Sequence, residues 1–207
     1  MSSSRPHNIP NYEVRKAVSA DAPFLAEAVM GALGSELCEH LAGKSENLES
    51  VRQLFTNLAA EPHTQYSYLN AFIVEDVDGI AAGAVIAYDG ARLHELRRAF
   101  VREANKLLHW NVTDAEASEW DDEAQPDEIY IDSLFVVPAH RGKGLAQTLV
   151  AAVRREFEDS GKPLGLLVEP TNIRAKRLYY YMGFREKDVS NFFKVPMCHM
   201  QARVLTS

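Results

Sequence analysis

The sequence predicts an α/β domain in which strands and helices alternate along the chain, and three observations carry that prediction. Ile129-Tyr130-Ile131-Asp132-Ser133-Leu134-Phe135-Val136-Val137 is apolar, β-branched or aromatic at most positions and is stopped by Pro138, so it reads as a strand. Leu145, Leu149, Ala152 and Val153, with Phe157 beyond them, recur at helical spacing, so a helix begins at the preceding glycines and runs to about Asp159. Ala71 to Asp76 and Ala81 to Tyr88 are two apolar runs around Val77-Asp78-Gly79, a hairpin signal.

Taken in order, Tyr12 to Val18 is a first strand. Ser19-Ala20-Asp21 is a helix N-cap cluster, and Ala22 to Leu33 follows as an Ala-rich helix with Pro23 in its first turn, where a missing N–H costs nothing. Gly31 and Gly34 mark its end, or a loop that folds over a substrate. Glu46 to Ala60 is a second helix with Leu48, Val51, Leu54, Phe55 and Leu58 on one face. The hairpin comes next, and the stretch 91–127 then separates it from the strand at Ile129. Such a length needs an account. Ala91 to Leu108 is helical by pattern, and His109 to Asp127 carries Trp110, Trp120 and an acidic cluster. It reads either as a solvated helix with a mobile acidic loop, or as a substrate lid whose aromatics and acids hold a cationic amine. Ser160-Gly161 stops the later helix, and Pro163 to Val168 is a short buried strand. Arg185 to Asn191 reads as a polar connection. Phe192 to Leu205 alternates as a final strand or strands, with Pro196 placing it at an edge or bulge.

The chain of 207 residues is expected to be a single domain over 12–207, preceded by a short flexible lead at 1–11 that lacks the apolar stretch of a signal peptide. Its 46% hydrophobic and 25% charged residues are those of a soluble globular protein, and no run approaches membrane-spanning length. A formal charge of −7 disfavours nucleic acid and membrane surfaces as partners and mildly suits a cationic amine. Cys38 and Cys198 fit no metal spacing and read as reduced thiols of a cytoplasmic protein, so no metal is expected.

Strand, basic glycine turn and helix together make an anion site. Gly142 and Gly144 let the backbone approach a ligand and adopt positive φ. The unpaired N–H groups and dipole of the helix start favour a diphosphate, and Arg141 and Lys143 add cationic donors at its rim. Neither G-x-x-x-x-G-K-[ST] nor G-x-G-x-x-G is present. The turn instead follows [QR]-x-x-G-x-[GA], with Arg141, Gly144 and Ala146 in the defined places. At the proper distance come Asn172-Ile173-Arg174-Ala175-Lys176-Arg177-Leu178-Tyr179 and Gly183-Phe184. These two blocks, in this order, resemble the acetyl-coenzyme A signature of the GNAT N-acetyltransferase superfamily.

The resemblance implies a mixed, mostly antiparallel central sheet flanked by helices. Its motif strand and the Leu164–Val168 strand would run parallel and splay, opening an acetyl-coenzyme A cleft. Acetyl-coenzyme A is the implied cosubstrate, cradled by Arg141, Gly142, Lys143, Gly144, Leu145, Ala146 and Gln147. Leu134, Phe135 and Val136 would pair with pantetheine, and Asn172 would contact it. Tyr179 is the family's usual proton donor to the leaving thiolate, a suitable role for a phenol. Asp132 resembles the acid found on this strand in diamine acetyltransferases, and an aspartate among apolar neighbours needs a partner or a role. It is the candidate base or substrate contact, acting directly or through water, with Glu169 the alternative. His94, His109 and His140 read as solvated. The activity expected is acetyl transfer to a primary amine of a small molecule, polyamine-like or amino-acid-like. Acetylation of a protein N-terminus or lysine, or a non-catalytic acyl-coenzyme A sensor, are the other readings. Many members pair through their last strands, so a homodimer is possible.

Overall fold

The structure, a computed structural model, describes residues 9, 11–43, 47–192 and 195–203. The strands are β1 (Tyr12–Lys16), β2 (Ala71–Asp76), β3 (Ala81–Asp89), β4 (Ile129–Val136), β5 (Leu164–Val168), β6 (Arg185–Phe192) and β7 (Val195–Ala202). The helices are α1 (Ala22–Leu33), α2 (Ser35–Ala42), α3 (Leu48–Ala60), α4 (Leu93–Leu108), α5 (Asp114–Ser118), α6 (Leu145–Glu156) and α7 (Ile173–Tyr181). The strands form one sheet in the order β1-β2-β3-β4-β5-β7-β6, antiparallel throughout except for the parallel pair β4–β5. This is the mixed, mostly antiparallel sheet that the sequence predicts. Among the described residues no helix is long and apolar enough to cross a membrane.

The pleat sends alternate residues to opposite faces, and the strands divide their apolar residues accordingly. Ile73, Ala84 and Ile86 join a core with Leu25 and Val29 of α1, Leu54 and Phe55 of α3 and Phe100 of α4. Val74, Val85 and Ala87 join a second core with Leu145, Leu149 and Val153 of α6. A smaller cluster brings Tyr88 and Tyr130 against Leu93 and Leu96 of α4.

The ladder between β3 and β4 is interrupted once. Ile131 pairs with Ala87 and Ser133 with Ile86, leaving Asp132 as the extra residue of a β-bulge in β4. A bulge shifts the side-chain alternation by one residue. Ile129 and Ile131 before it, and Leu134 and Val136 after it, therefore all pack on the α6 face.

The parallel pair is short. Only Ile129↔Leu164 and Tyr130↔Gly165 are in register. Beyond them β5 pairs with β7 alone, so β4 from Ile131 to Val136 keeps an open edge toward β5. The closed end of this V is held by Glu128, which has no exposed surface. Its carboxylate accepts from the Gln125 N–H at 3.0 Å and from Gln201 Nε2 at 3.1 Å, and faces His199 Nε2 at 2.9 Å. His199 Nδ1 faces Asp188 at 2.9 Å. With a carboxylate on each ring nitrogen, the imidazolium is the form that donates to both. Burial by itself lowers the pKa of His199. The hydrogen bonds and charges of Glu128 and then Asp188 outweigh it and hold the ring above its ordinary 6.5. Gly165 leaves room for this clamp, since a Cβ there would lie 1.9 Å from a Glu128 oxygen.

Several expectations need correction. Residues 185–191 are no loop: they lie in β6, an edge strand exposed on most of its length, and so they lack the apolar alternation that marks a half-buried strand. Pro196 lies inside β7, but beyond Cys198, the last residue pairing with β5, so that side makes no demand on its missing N–H. The segment after Gly34 is α2, with Cys38, Leu41 and Ala42 buried, rather than a loop. The acidic stretch is not wholly solvated, because Ala117, Glu123 and Ala124 are buried. Residues 46, 193–194, 204–205 and most of the lead (1–8 and 10) lie outside the described residues.

The clamp makes two predictions for stability. Gly165→Ala must displace the Glu128 carboxylate, and urea denaturation is expected to show a loss of about 1–3 kcal/mol. A raised histidine pKa stabilises fully below the unfolded value near 6.5 and loses that contribution as pH rises through the folded value. The stability gap between the wild type and His199→Gln should therefore be widest below that pH and narrow on the alkaline side.

Candidate active site

The turn after β4 is built for an anion. Gly142 and Gly144 have φ of 79° and 83°, a conformation that side chains disfavour. Gly144 is the N-cap of α6, a helix of 12 residues anchored by buried Leu145, Leu149 and Val153. Its first N–H groups therefore face the turn. Arg141 folds back, donating from Nε to the Val136 carbonyl at 2.9 Å. Lys143 donates to the Tyr12 hydroxyl at 2.8 Å, and that hydroxyl meets His140 Nδ1 at 2.8 Å. His140 is thus half-buried and bonded to β1 rather than free in solvent. Ala146 and Gln147 continue the first turn, both half-buried.

Beside this cradle runs the open edge of β4, where Leu134, Phe135 and Val136 are partly exposed. Phe135 points the other way from its neighbours, packing against α1, where a Cβ on Gly31 would lie 2.4 Å from its ring. An anion-binding helix start beside an unpaired strand edge fits a ligand that carries a diphosphate on an extended amide chain.

Asp132 sits on the α4 side of the sheet. Ser133 Oγ donates to its Oδ1 at 3.1 Å and the Tyr88 hydroxyl to its Oδ2 at 3.3 Å. Burial, and after it the charge of Glu123, raises its pKa to about 7, while the Ser133 and Tyr88 hydrogen bonds oppose the rise. Gln65 Nε2 ties the Tyr88 hydroxyl at 3.3 Å to Glu123 at 2.8 Å. Glu123 in turn is bonded to buried Arg97 of α4. Next to this lattice lies a cavity of about 360 Å³, whose wall includes Gln65, Tyr66, Arg97, Phe100, Trp120 and Glu123.

The three consecutive tyrosines separate cleanly. Tyr179 turns inward, its ring 5.8 Å from that of Phe184, and burial raises its pKa to about 12. Tyr180 bonds Glu186 on the surface and Tyr181 is 81% exposed. Asn172 caps α7, its Oδ1 accepting from the Ala175 N–H at 3.0 Å, so its side-chain amide is the part left for a ligand. Glu169 is exposed past the end of β5 and is not one of the groups that bond Asp132. His94 and His109 are exposed, His94 bonding Asp122 at 3.0 Å. No group of three or more His, Cys, Asp or Glu side chains able to hold a metal ion occurs among the described residues.

The family model of the GNAT acetyltransferases matches residues 49–184, from α3 through the end of α7 and Phe184. The chain belongs to that family. No protein of curated function matches the sequence. A solved acetyltransferase is 26% identical, with 93% of this chain and 99% of that one covered and a TM-score of 0.70. An N-acetyltransferase from Staphylococcus aureus Mu50 is 19% identical, covering 92% and 100%, also at 0.70. The PaiA N-acetyltransferase of Thermoplasma acidophilum, solved with coenzyme A, is 15% identical, covering 93% and 98%, at 0.55.

Acetyl-coenzyme A is the cosubstrate of the GNAT family, and the cradle and strand edge of this GNAT domain suit it. Sequence reasoning missed Tyr12, Gln65, Tyr66, Tyr88 and Arg97 as site residues, and took Glu123 only as one of several acids in a solvated loop or substrate lid. Each of the five missed residues comes from a strand, helix or loop remote in sequence from the motif. The signal that could have found one of them is Arg97, a single cation on the otherwise apolar face of α4 that must meet an acid. If Glu123 holds the Asp132 titration near pH 7, Glu123→Gln should move the Asp132 midpoint to lower pH. Carboxyl-carbon NMR checks it, and an unchanged midpoint would remove Glu123 from the account.

Proposed function

We propose that this GNAT protein transfers an acetyl group to the primary amine of a small molecule, within a ternary complex and without an acyl-enzyme. The observation that carries the reading is Asp132: the bulge sets it beside the open strand edge, and its pKa near 7 lets it alternate between acid and base at neutral pH. Acetyl-coenzyme A supplies the acyl group as a thioester when bound. Arg141, Lys143 and the first N–H groups of α6 hold the diphosphate, and the free edge of β4 orients the chain that leads from it. Asp132 takes the proton of the acceptor ammonium, directly or through a water, so that nitrogen presents its lone pair. A backbone N–H of β4 polarises the acyl carbonyl. As the N–C bond forms and the C–S bond breaks, Tyr179 gives its proton to the sulfur. A phenol with a raised pKa keeps that proton until a strong base appears beside it.

The test is coenzyme A release from acetyl-coenzyme A with a panel of amines. Tyr179→Phe should lower kcat by about 10²-fold or more while cofactor affinity holds. The basic form of Asp132 exists above its midpoint, so kcat/KM should rise with pH through about 7, and Asp132→Asn should flatten that limb and cut the plateau. Silence across the panel, with acetyl-coenzyme A still raising the melting temperature, would replace this reading with a non-catalytic acyl-coenzyme A sensor. Turnover only with peptides would replace it with a protein acetyltransferase.

A further inference from the structure

The cationic rim of the glycine cradle is tied to the first strand of the sheet. Lys143 stands between Gly142 and Gly144, whose φ of 79° and 83° lie where the backbone is freest, and its side chain is exposed. A lysine so placed has much rotamer freedom to lose before it holds an anion at one point. Here that freedom is already restricted. Its Nζ donates to the Tyr12 hydroxyl at 2.8 Å, across 131 residues of sequence. The same Nζ is 5.4 Å from the ring centre, so it approaches along the C–O bond and not over the ring face. The contact therefore depends on the oxygen.

Tyr12 is itself held firmly. It opens β1, where it pairs with Asp76 of β2. Its N–H donates to the Ile9 carbonyl at 3.1 Å, with Asn11 between them at a φ of 74°. The Ile9 side chain closes on the cradle, where a Cβ added to Gly144 would lie 3.3 Å from its Cδ1. Ile9 and Tyr12 both pack against the core of Leu145 and Leu149 that anchors α6. The hydroxyl has an acceptor as well, since His140 Nδ1 is 2.8 Å away and the two rings meet edge to face at 5.7 Å. An ammonium can only donate, so the phenol oxygen accepts from Lys143 and passes its own hydrogen to His140. Each bond in such a chain polarises the next. Of the three ammonium donors one is used here, which leaves two to meet an anion.

We infer that Tyr12 is a positioning residue for the donor cosubstrate: its hydroxyl holds the Lys143 ammonium at the cradle for the diphosphate of acetyl-coenzyme A. Ordering a cation in advance strengthens binding only of a ligand that uses that cation. The gain therefore falls on the anionic part of the cosubstrate. The inference rests on the diphosphate placement proposed above, and it is independent of the acceptor and of the acetyl transfer step.

Isothermal titration of the full chain with coenzyme A tests this without any acceptor. The wild type is compared with Tyr12→Phe, Lys143→Met and the double variant. The exchange at Tyr12 keeps the ring and its packing against His140 and removes only the oxygen. Tyr12→Phe should raise the Kd about three- to tenfold, the ordering cost of one long side chain. Lys143→Met should raise it at least as much. Adding Tyr12→Phe to Lys143→Met should change the Kd by less than about twofold, because the hydroxyl acts through the ammonium. A merely structural tyrosine would weaken binding in both backgrounds. That result, or an unchanged Kd for Tyr12→Phe alone, overturns the inference and leaves the diphosphate placement standing. If Lys143→Met binds coenzyme A as the wild type does, the placement at this rim fails and the inference fails with it. Dephospho-coenzyme A keeps the diphosphate and lacks the ribose 3′-phosphate, so it should show the same pattern. A Tyr12→Phe penalty that disappears with it would assign Lys143 to the 3′-phosphate and overturn the inference.

Discussion

A carboxylate with no surface in water governs this molecule. Glu128 reaches past β5 to His199 and Gln201 on β7, and Gly165 is the gap through which it passes. Burying a charge is costly, and the cost is offset only where hydrogen bonds and an opposite charge replace the water that was lost. Here a backbone N–H, an amide and an imidazolium do so. Because the clamp sits at one end of β4 and β5, the strands are fixed there and diverge beyond their second pair. The open edge of β4, the start of α6 and the entry to α7 all lie downstream of that divergence.

The bulge at Asp132 performs a second service from the same strand. Without it, the apolar residues on either side could not all face α6, since strict alternation would turn Leu134 and Val136 toward α1. The inserted residue resolves that conflict and is itself left out of the ladder. It is this surplus position that carries the carboxylate. The polar lattice of Ser133, Tyr88, Gln65, Glu123 and Arg97 then decides how readily Asp132 holds a proton.

How much of this the sequence discloses depends on how local each cause is. The cradle is legible because its physics is local: two positive-φ glycines, a basic pair and a helix start are adjacent in the chain. Asp132 stands out as an acid in an apolar strand, but the bulge that isolates it is a register effect between β3 and β4, and neither strand shows it alone. Spacing singles out Tyr179 among three tyrosines, and only packing against Phe184 shows which of the three turns inward. The edge strand β6 escapes notice because both of its faces are wet for most of its length. Arg97 and Gln65 escape, and Glu123 is not told apart from the acids beside it, because their meaning lies in one another, across α4, the acidic stretch and the segment before β2. The glycine at 165 gives no hint of the carboxylate it admits.

The sheet separates two hydrophobic interiors, one beneath α6 and one beneath α1, α3 and α4. The glycine-rich cradle is rooted in the first, and the cavity beside the Glu123–Arg97 lattice in the second. Substitutions in groups that share no contacts add nearly independently in free energy. The cavity wall can therefore be exchanged residue by residue while the cradle half stays under its own selection. One scaffold of this kind is free to drift across acceptor chemistries, and the divergence between such relatives should concentrate on a single side of the sheet.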